Sequence, residues 1–225
     1  KDDPISGGRQ LPQHFSDESL RIVSQSSPTG TQFLHAVGSA LTRKWEKKKE
    51  VVYVSSGEGT TSQGEFHEAL NWASREKLPV IFHIEDNSYA ISVHISEQIS
   101  GGSVYSMVAG YQNLARYNVD GTDFFETNLA FQKAVERARK GKGPSVIVSN
   151  VVRLLPHSSS DDQRKYRSEE ELENDKKRDP ILRFQEACVD GKIITEKEFD
   201  KIRNEVKNQV DEETDWAEQQ DHPPK

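Results

Sequence analysis

The sequence predicts an α/β fold: a mostly parallel sheet with helices on both faces and a helical appendage at its carboxyl end. Three observations carry this expectation. Short apolar runs (VVYVS, VIFHIE, SVIVSNVVRLL) recur between stretches whose apolar residues lie three and four apart, the alternation that builds a parallel sheet. These runs have no polar face, which suits strands covered on both sides. From Ser168 onward the chain turns almost wholly charged and helical.

The first 28 residues show no convincing helix or strand. So long an opening loop is uncommon in a compact domain, so it reads either as an active-site loop supported from upstream or as disorder. Thr31 to Trp45 is the first helix, with Phe33, Val37, Ala40 and Leu41 on one face and Ala36 and Gly38 allowing close packing. VVYVS, Val51–Ser55, lacks a polar face and is expected in the middle of the sheet. A second helix starts near Gly64 and carries Phe66, Ala69, Leu70 and Ala73, and Pro79 then introduces the strand VIFHIE. After the loop ISVHISEQISGG come a helix around Ser103–Leu114, a short strand in ARYNVDG, and a helix over about 125–140 with Leu129, Ala134, Val135 and Ala138 inward. GKGP ends that helix, and SVIVSNVVRLL is the last strand. In the tail, Thr195 and Glu198 have the spacing of a capping box. These elements divide the chain into an α/β domain over residues 1–167 and a helical extension over 168–225.

Bulk properties exclude several classes. A formal charge of −7 gives no support for nucleic-acid binding. Cys188 is the single cysteine, so no intrachain disulfide or thiolate metal cage can form. No apolar run approaches the roughly 20 residues that span a bilayer, and the amino terminus lacks a signal-peptide pattern. The chain reads as soluble and intracellular.

The chemistry concentrates in SGEGTTSQGEF, Ser56–Phe66, between a strand and a helix. Ligands bind at this end of an α/β sheet. Gly57 and Gly59 let backbone approach a ligand, and the helix amino terminus beyond favours anions. The glycines fall at 57, 59 and 64, which is neither GxGxxG nor a P-loop. The next strand ends in EDNSYAIS, Glu85–Ser92. Glu58 and Asn87 therefore close neighbouring strands. A carboxylate, an amide oxygen and backbone carbonyls are the hard oxygen ligands that Mg²⁺ takes alongside phosphate and water. Asp86 either joins them or bonds nearby backbone. The last candidate segment is VVRLLPHSSSDDQRKYR, Val151–Arg167, where Arg153 can clamp a diphosphate and His157 can orient a proton or steady negative charge.

A GxG followed by residues 60 to 85 and then an acidic-or-amide residue and Asn resembles the thiamine diphosphate fingerprint. The wider string GEGTTSQGEFHEALNWASREKLPVIFHIEDNSYAIS is similar, more narrowly, to the α-chain of the E1 component of 2-oxo acid dehydrogenase complexes. That resemblance implies a thiamine diphosphate-binding fold in which Glu58, Asn87 and the Tyr89 carbonyl hold Mg²⁺. It implies that Thr29, Gly57, Gly59, Thr60, Arg153 and His157 face the cofactor, with His157 beside the reacting centre. SSPTGTQ resembles the loop that meets the aminopyrimidine and, in branched-chain members, a structural K⁺, for which Ser26, Thr31 and Gln32 are candidates. GGRQLPQHF resembles the glycine-rich loop ahead of it. SSSDD matches a loop phosphorylated in mitochondrial relatives, at the serine corresponding to Ser158. Two positions depart from the pattern: Asp86 replaces the first of two asparagines, and Glu85 stands where some relatives carry an arginine that reaches the diphosphate.

The implied reaction is oxidative decarboxylation of a 2-oxo acid with acyl transfer to a lipoyl group. YAIS and HSSSDD favour branched-chain substrates over pyruvate or acetoin. The implied partners are an E1 β chain or fused β domain, in a heterotetramer-like assembly, and a lipoyl-bearing acyltransferase E2. The setting favoured is the bacterial cytoplasm, with the mitochondrial matrix as the alternative. A noncatalytic subunit that keeps the fold, and a transketolase-like enzyme, are the competing readings. The carboxylate that must hydrogen-bond the pyrimidine, and an upstream tyrosine–arginine pair, have no counterpart in the sequence; these residues are expected to form half of a composite site and to be inactive alone.

Overall fold

The computed structural model describes His14, residues 16–24 and residues 26–221. GGRQLPQHF, apart from His14, and the final HPPK lie outside the described residues. The chain divides into two compact units: residues 28–183, which hold the sheet, and a second unit formed by the amino-terminal residues up to Ser27 together with Phe184 onward.

In the sheet unit, helix α1 (Thr31–Trp45) leads into strand β1 (Val52–Gly57), helix α2 (Gly64–Glu76) and strand β2 (Val80–Asp86). A small hairpin follows, β3 (Tyr89–Ala90) with β4 (Val93–His94), then the short helices α3 (Ile95–Gln98) and α4 (Val104–Met107). Strand β5 (Ala115–Asp120), helix α5 (Phe124–Arg139) and strand β6 (Ser145–Asn150) complete the sheet, and helix α6 (Glu169–Lys176) comes after a long irregular segment. The strands run parallel in the order β1-β2-β6-β5. Their carboxyl ends align, with Gly57 opposite Glu85, and Asp86 and Asp120 opposite Asn150.

Alternation along the strands sorts side chains onto two faces. Val54, Phe82, Ile84, Val146 and Val148 face the core shared with α1 and α2, where Phe33, Phe66 and Phe82 pack with ring centroids 5.0 to 6.4 Å apart. Ile81, Ile147 and Val119 face the Ala130 and Ala134 side of α5. The sheet is thus covered on both faces, as its sequence implies.

Four expectations need correction. β1 is an edge strand, not a central one; its apolar run reflects one covered face, with Val54 in the core and Tyr53 on the other face exposed, and says nothing about hydrogen bonding at its edge. The helix around Ser103–Leu114 shrinks to one turn plus a 3-10 turn over Val108–Gly110. Val104 and Val108, both fully buried, satisfy helical spacing without requiring a long helix. Leu129 is half exposed, and small residues, Ala130, Ala134 and Ala138, make the inward stripe of α5. The last strand ends at Asn150.

In the second unit, α7 (Pro180–Asp190), which starts in the sheet unit, stops before Gly191, and α8 (Glu196–Glu218) opens with the capping box of Thr195 and Glu198. Among the described residues no helix is long and apolar enough to cross a membrane.

Candidate functional site

Three loops leave the carboxyl ends of β1, β2 and β6. The first is a 3-10 turn, Glu58–Ser62, that leads into α2. Glu58 is only 1% exposed, a rare position for a carboxylate. Its Oε2 accepts the Asn87 N–H at 3.3 Å, and its Oε1 is buried with no partner. Burial raises the Glu58 carboxyl above its ordinary range, and the charge of Asp86 adds to that; backbone hydrogen bonds and the positive Arg153 pull the other way. The Thr61 hydroxyl anchors the turn by donating to the Glu58 carbonyl at 2.6 Å.

The two glycines differ in purpose. A Cβ on Gly59 would lie 2.5 Å from the Ala90 Cβ, so glycine there admits β3 against the turn and the demand comes from packing. At Gly57 a Cβ would meet only the Glu85 carbonyl, at 3.9 Å, an ordinary contact. Packing among the described residues therefore does not demand a glycine at 57.

The β2 loop is wound on itself. Asp86 Oδ1 accepts the Ser88 N–H at 2.9 Å, and Asn87 Oδ1 accepts the Tyr89 N–H at 3.1 Å. Ser88 sits in the left-handed region at φ 69°, which short polar residues tolerate. Asp86 therefore takes the nearby-backbone role; burial raises its carboxyl too. Glu85 points to the opposite face, 3.7 Å from His83 Nδ1. His83 in turn bridges the Tyr53 and Ser149 hydroxyls, each at 2.9 Å.

From the β6 end, Arg153 reaches back across the loops. Its Nη1 donates to the Ile91 carbonyl and its Nη2 to the Tyr166 hydroxyl, both at 2.7 Å, while its Nε is buried without a partner. Tyr166 donates to Asp161 Oδ2 at 2.6 Å, and the same oxygen accepts the His157 backbone N–H at 2.9 Å. His157 itself is exposed. Thr29 is exposed as well; the Gly30 that follows it has φ 103°, and a Cβ there would sit 3.0 Å from the Gln63 Cβ, so this turn packs on the approach to α2. Thr31 donates to the Pro28 carbonyl and Gln32 Oε1 accepts the Gly30 N–H, local bonds that open α1. Ser26 belongs to the other compact unit. Thr60 is part of the 3-10 turn and half-buried.

The loops bring Glu58, Asn87 and Arg153 to one end of the sheet. Reading the sequence missed Tyr166, Asp161 and Arg167. Arg167 is 5% exposed and pairs with Glu171 at 2.8 Å and with Asp175, while Nη1 donates to the Arg153 carbonyl at 3.0 Å. An aromatic and an arginine embedded in DDQRKYR were the available signal. Among the described residues no group of three or more His, Cys, Asp or Glu could hold a metal. A cation here would depend on amide and backbone oxygens beside Glu58.

The fold and these loops define a parallel α/β protein whose candidate site lies at the carboxyl ends of its strands. Within that class, residues 1–225 match the family model described as "Dehydrogenase E1 component", and the chain belongs to that family. It is 44% identical over 216 residues to the 2-oxoisovalerate dehydrogenase subunit alpha of Bacillus subtilis, covering 96% of this chain and 65% of that protein. It is 34% identical over 183 residues to the 3-methyl-2-oxobutanoate dehydrogenase subunit alpha of Mycobacterium tuberculosis, covering 81% and 50%. With the mitochondrial 2-oxoisovalerate dehydrogenase subunit alpha of Homo sapiens it shares 34% over 220 residues, covering 97% and 49%. The chain thus spans from about half to just under two thirds of the length of these relatives.

Proposed function

We propose that this chain supplies the diphosphate-and-cation half of the active site of a thiamine diphosphate-dependent 2-oxo acid dehydrogenase E1 component, acting on branched-chain 2-oxo acids. Two buried atoms without partners carry the reading: Glu58 Oε1, an acceptor, and Arg153 Nε, a donor. A buried carboxylate and guanidinium left short of partners are costly unless a ligand completes them, and a divalent cation bound to a diphosphate offers each the partner it lacks. Glu58, Asn87 and the Tyr89 carbonyl would hold Mg²⁺, and Arg153 would meet the diphosphate, with Gly57 leaving room for it. Thiamine diphosphate, when bound, supplies a nucleophilic carbon and an electron sink for the bond to the departing carboxylate. The residues of this chain bind and orient it, while the exposed His157 lies where a substrate group can approach. The partners that complete this reading are an E1 β chain or β domain and a lipoyl-bearing acyltransferase.

Asp86 favours a second reading, a noncatalytic subunit that keeps the fold, because its carboxylate adds negative charge beside Glu58 where a diphosphate would lie; Glu85, turned to the other face beside His83, does not. Calorimetry on the assembled enzyme separates the two. Mg²⁺-dependent binding of thiamine diphosphate is expected, weakened about tenfold or more by Arg153→Ala, whereas His157→Ala should lower turnover and leave affinity near wild type. No Mg²⁺-dependent binding by the wild-type assembly would leave only the noncatalytic reading.

A further inference from the structure

We infer that Glu171, on a helix outside the cation loop, is a positioning residue for that loop: its carboxylate accepts the Tyr89 hydroxyl at 3.2 Å and pairs with the buried Arg167 at 2.8 Å. The inference rests on the proposed cation role of the Tyr89 carbonyl.

Tyr89 is held at both ends. Its backbone N–H donates to Asn87 Oδ1, so its main chain and the Asn87 amide form one unit. Its ring has two guanidinium groups over it, Arg153 at 5.5 Å and Arg167 at 5.3 Å, and the His94 and Tyr166 rings at 5.1 and 5.8 Å. Such contacts set where the ring lies but leave it free to slide in its plane. The phenol bond to Glu171 removes that freedom, because Glu171 is itself anchored. Ser168 caps α6 by accepting the Glu171 backbone N–H at 3.2 Å, and Arg167 Nε grips the other carboxylate oxygen. The main chain of loop 86–89 is also tied from outside, by the Asn87 N–H donating to Glu58, the Ile95 N–H to the Ser88 carbonyl and the Val151 N–H to the Asp86 carbonyl, and Glu171 adds the stop at the phenol end of Tyr89.

Glu171 also settles how charge is divided. Arg167, with its side chain 2% exposed, is matched by Glu171 and Asp175. Arg153 makes no carboxylate ion pair among the described residues; its partners are a carbonyl and a phenol. With Arg167 neutralised from α6, Arg153 is the guanidinium whose charge stays available to an anion. One helix with no buried residue of its own thereby aims a carbonyl and assigns a cation. Groups behind the ligands commonly change metal affinity by about 10- to 100-fold when removed.

The test uses the full-length polypeptide in its complete assembly, with saturating thiamine diphosphate. It reads the Mg²⁺ concentration for half-maximal cofactor binding by fluorescence, and Mn²⁺ affinity by electron paramagnetic resonance. Glu171→Ala is expected to raise both about tenfold, with the unfolding midpoint close to wild type because Asp175 still pairs Arg167. Tyr89→Phe should do the same, and the double variant should be no worse than either single one, since both remove one bond. Glu171→Gln, which keeps an acceptor for the phenol, should recover most of the loss. Wild-type cation affinity in Glu171→Ala, additive losses in the double variant, or no recovery with glutamine would each overturn the positioning role while leaving the site reading intact. A wild-type assembly that binds no cofactor with Mg²⁺ would remove the site reading and this inference together.

Discussion

Glu58 shows what a single residue reveals about the purpose of a site. Its burial, its raised carboxyl and its partnerless Oε1 all work against folding, and among the described residues its carboxylate gains only the long 3.3 Å bond from the Asn87 N–H in return. A group whose folded pKa lies above its unfolded value contributes stability that is complete below the unfolded pKa and lost as pH rises toward the folded one. At neutral pH, therefore, Glu58→Gln is expected to leave the cation-free protein more stable by about 1 kcal/mol or more while weakening Mg²⁺-dependent cofactor binding. Urea unfolding and calorimetry check the two effects separately; a variant that loses stability and keeps its cation affinity would make Glu58 structural. Glu58 and Asn87 could be read from sequence because each follows directly on a strand end, and Arg153 because it lies three residues beyond one. Tyr166, Asp161 and Arg167 could not, since they meet Arg153 only through the path of an irregular loop, and no periodicity predicts such a path.

At the scale of elements, strand and helix types were legible from periodicity, and the boundaries of α1 and α2 followed from the charges and glycine beside them. Edge and centre were not: β1 and β2 are equally apolar, yet only β2 has neighbours on both sides. The β3–β4 hairpin was also missed, because two-residue strands are too short to show alternation. One junction between elements makes a pH prediction. Asp120, at the end of β5, accepts the Thr122 amide and hydroxyl and pairs with Arg183 at 2.8 Å and Arg178 at 3.2 Å. Burial opposes its ionisation, but the Thr122 bonds and Arg183 outweigh it and hold the carboxyl far below its ordinary range. The stability this confers is present above the unfolded pKa and fades as pH falls toward the folded one. The carboxylate is one third exposed, so screening limits its worth to about 1–2 kcal/mol. Asp120→Asn is expected to lower unfolding free energy by that amount at pH 7, and the gap to wild type should narrow steadily below about pH 5. A gap that stays constant down to pH 3 would show that the ion pairs contribute nothing.

For the whole molecule, the decisive feature is what the site still asks for. The three loops place a carboxylate, an amide, a carbonyl and a guanidinium at one end of the sheet, which suits the charged tail of a cofactor. The carboxylic group that the pyrimidine of the proposed cofactor would need has no candidate among them: Glu58 is proposed for the cation end, Glu85 lies on the other face beside His83, and Glu171 holds Tyr89 and Arg167. Thr29 and His157, the residues proposed nearest to pyrimidine and substrate, are both exposed, and a site open to water loses much of the positioning that catalysis needs. The relatives extend well past the matched length, so the remainder of such a polypeptide, and a β partner, are where the missing acid and cover are proposed to reside. The 225-residue chain alone, given thiamine diphosphate and Mg²⁺, is therefore expected to show no decarboxylation of 2-oxo acids above background. Adding the longer polypeptide and a β chain should restore it, with 3-methyl-2-oxobutanoate preferred over pyruvate. Carbon dioxide release and lipoyl reduction give the two readouts. Substantial turnover by the isolated chain would overturn the composite site, and a preference for pyruvate by the assembly would overturn the branched-chain assignment while leaving the shared site in place.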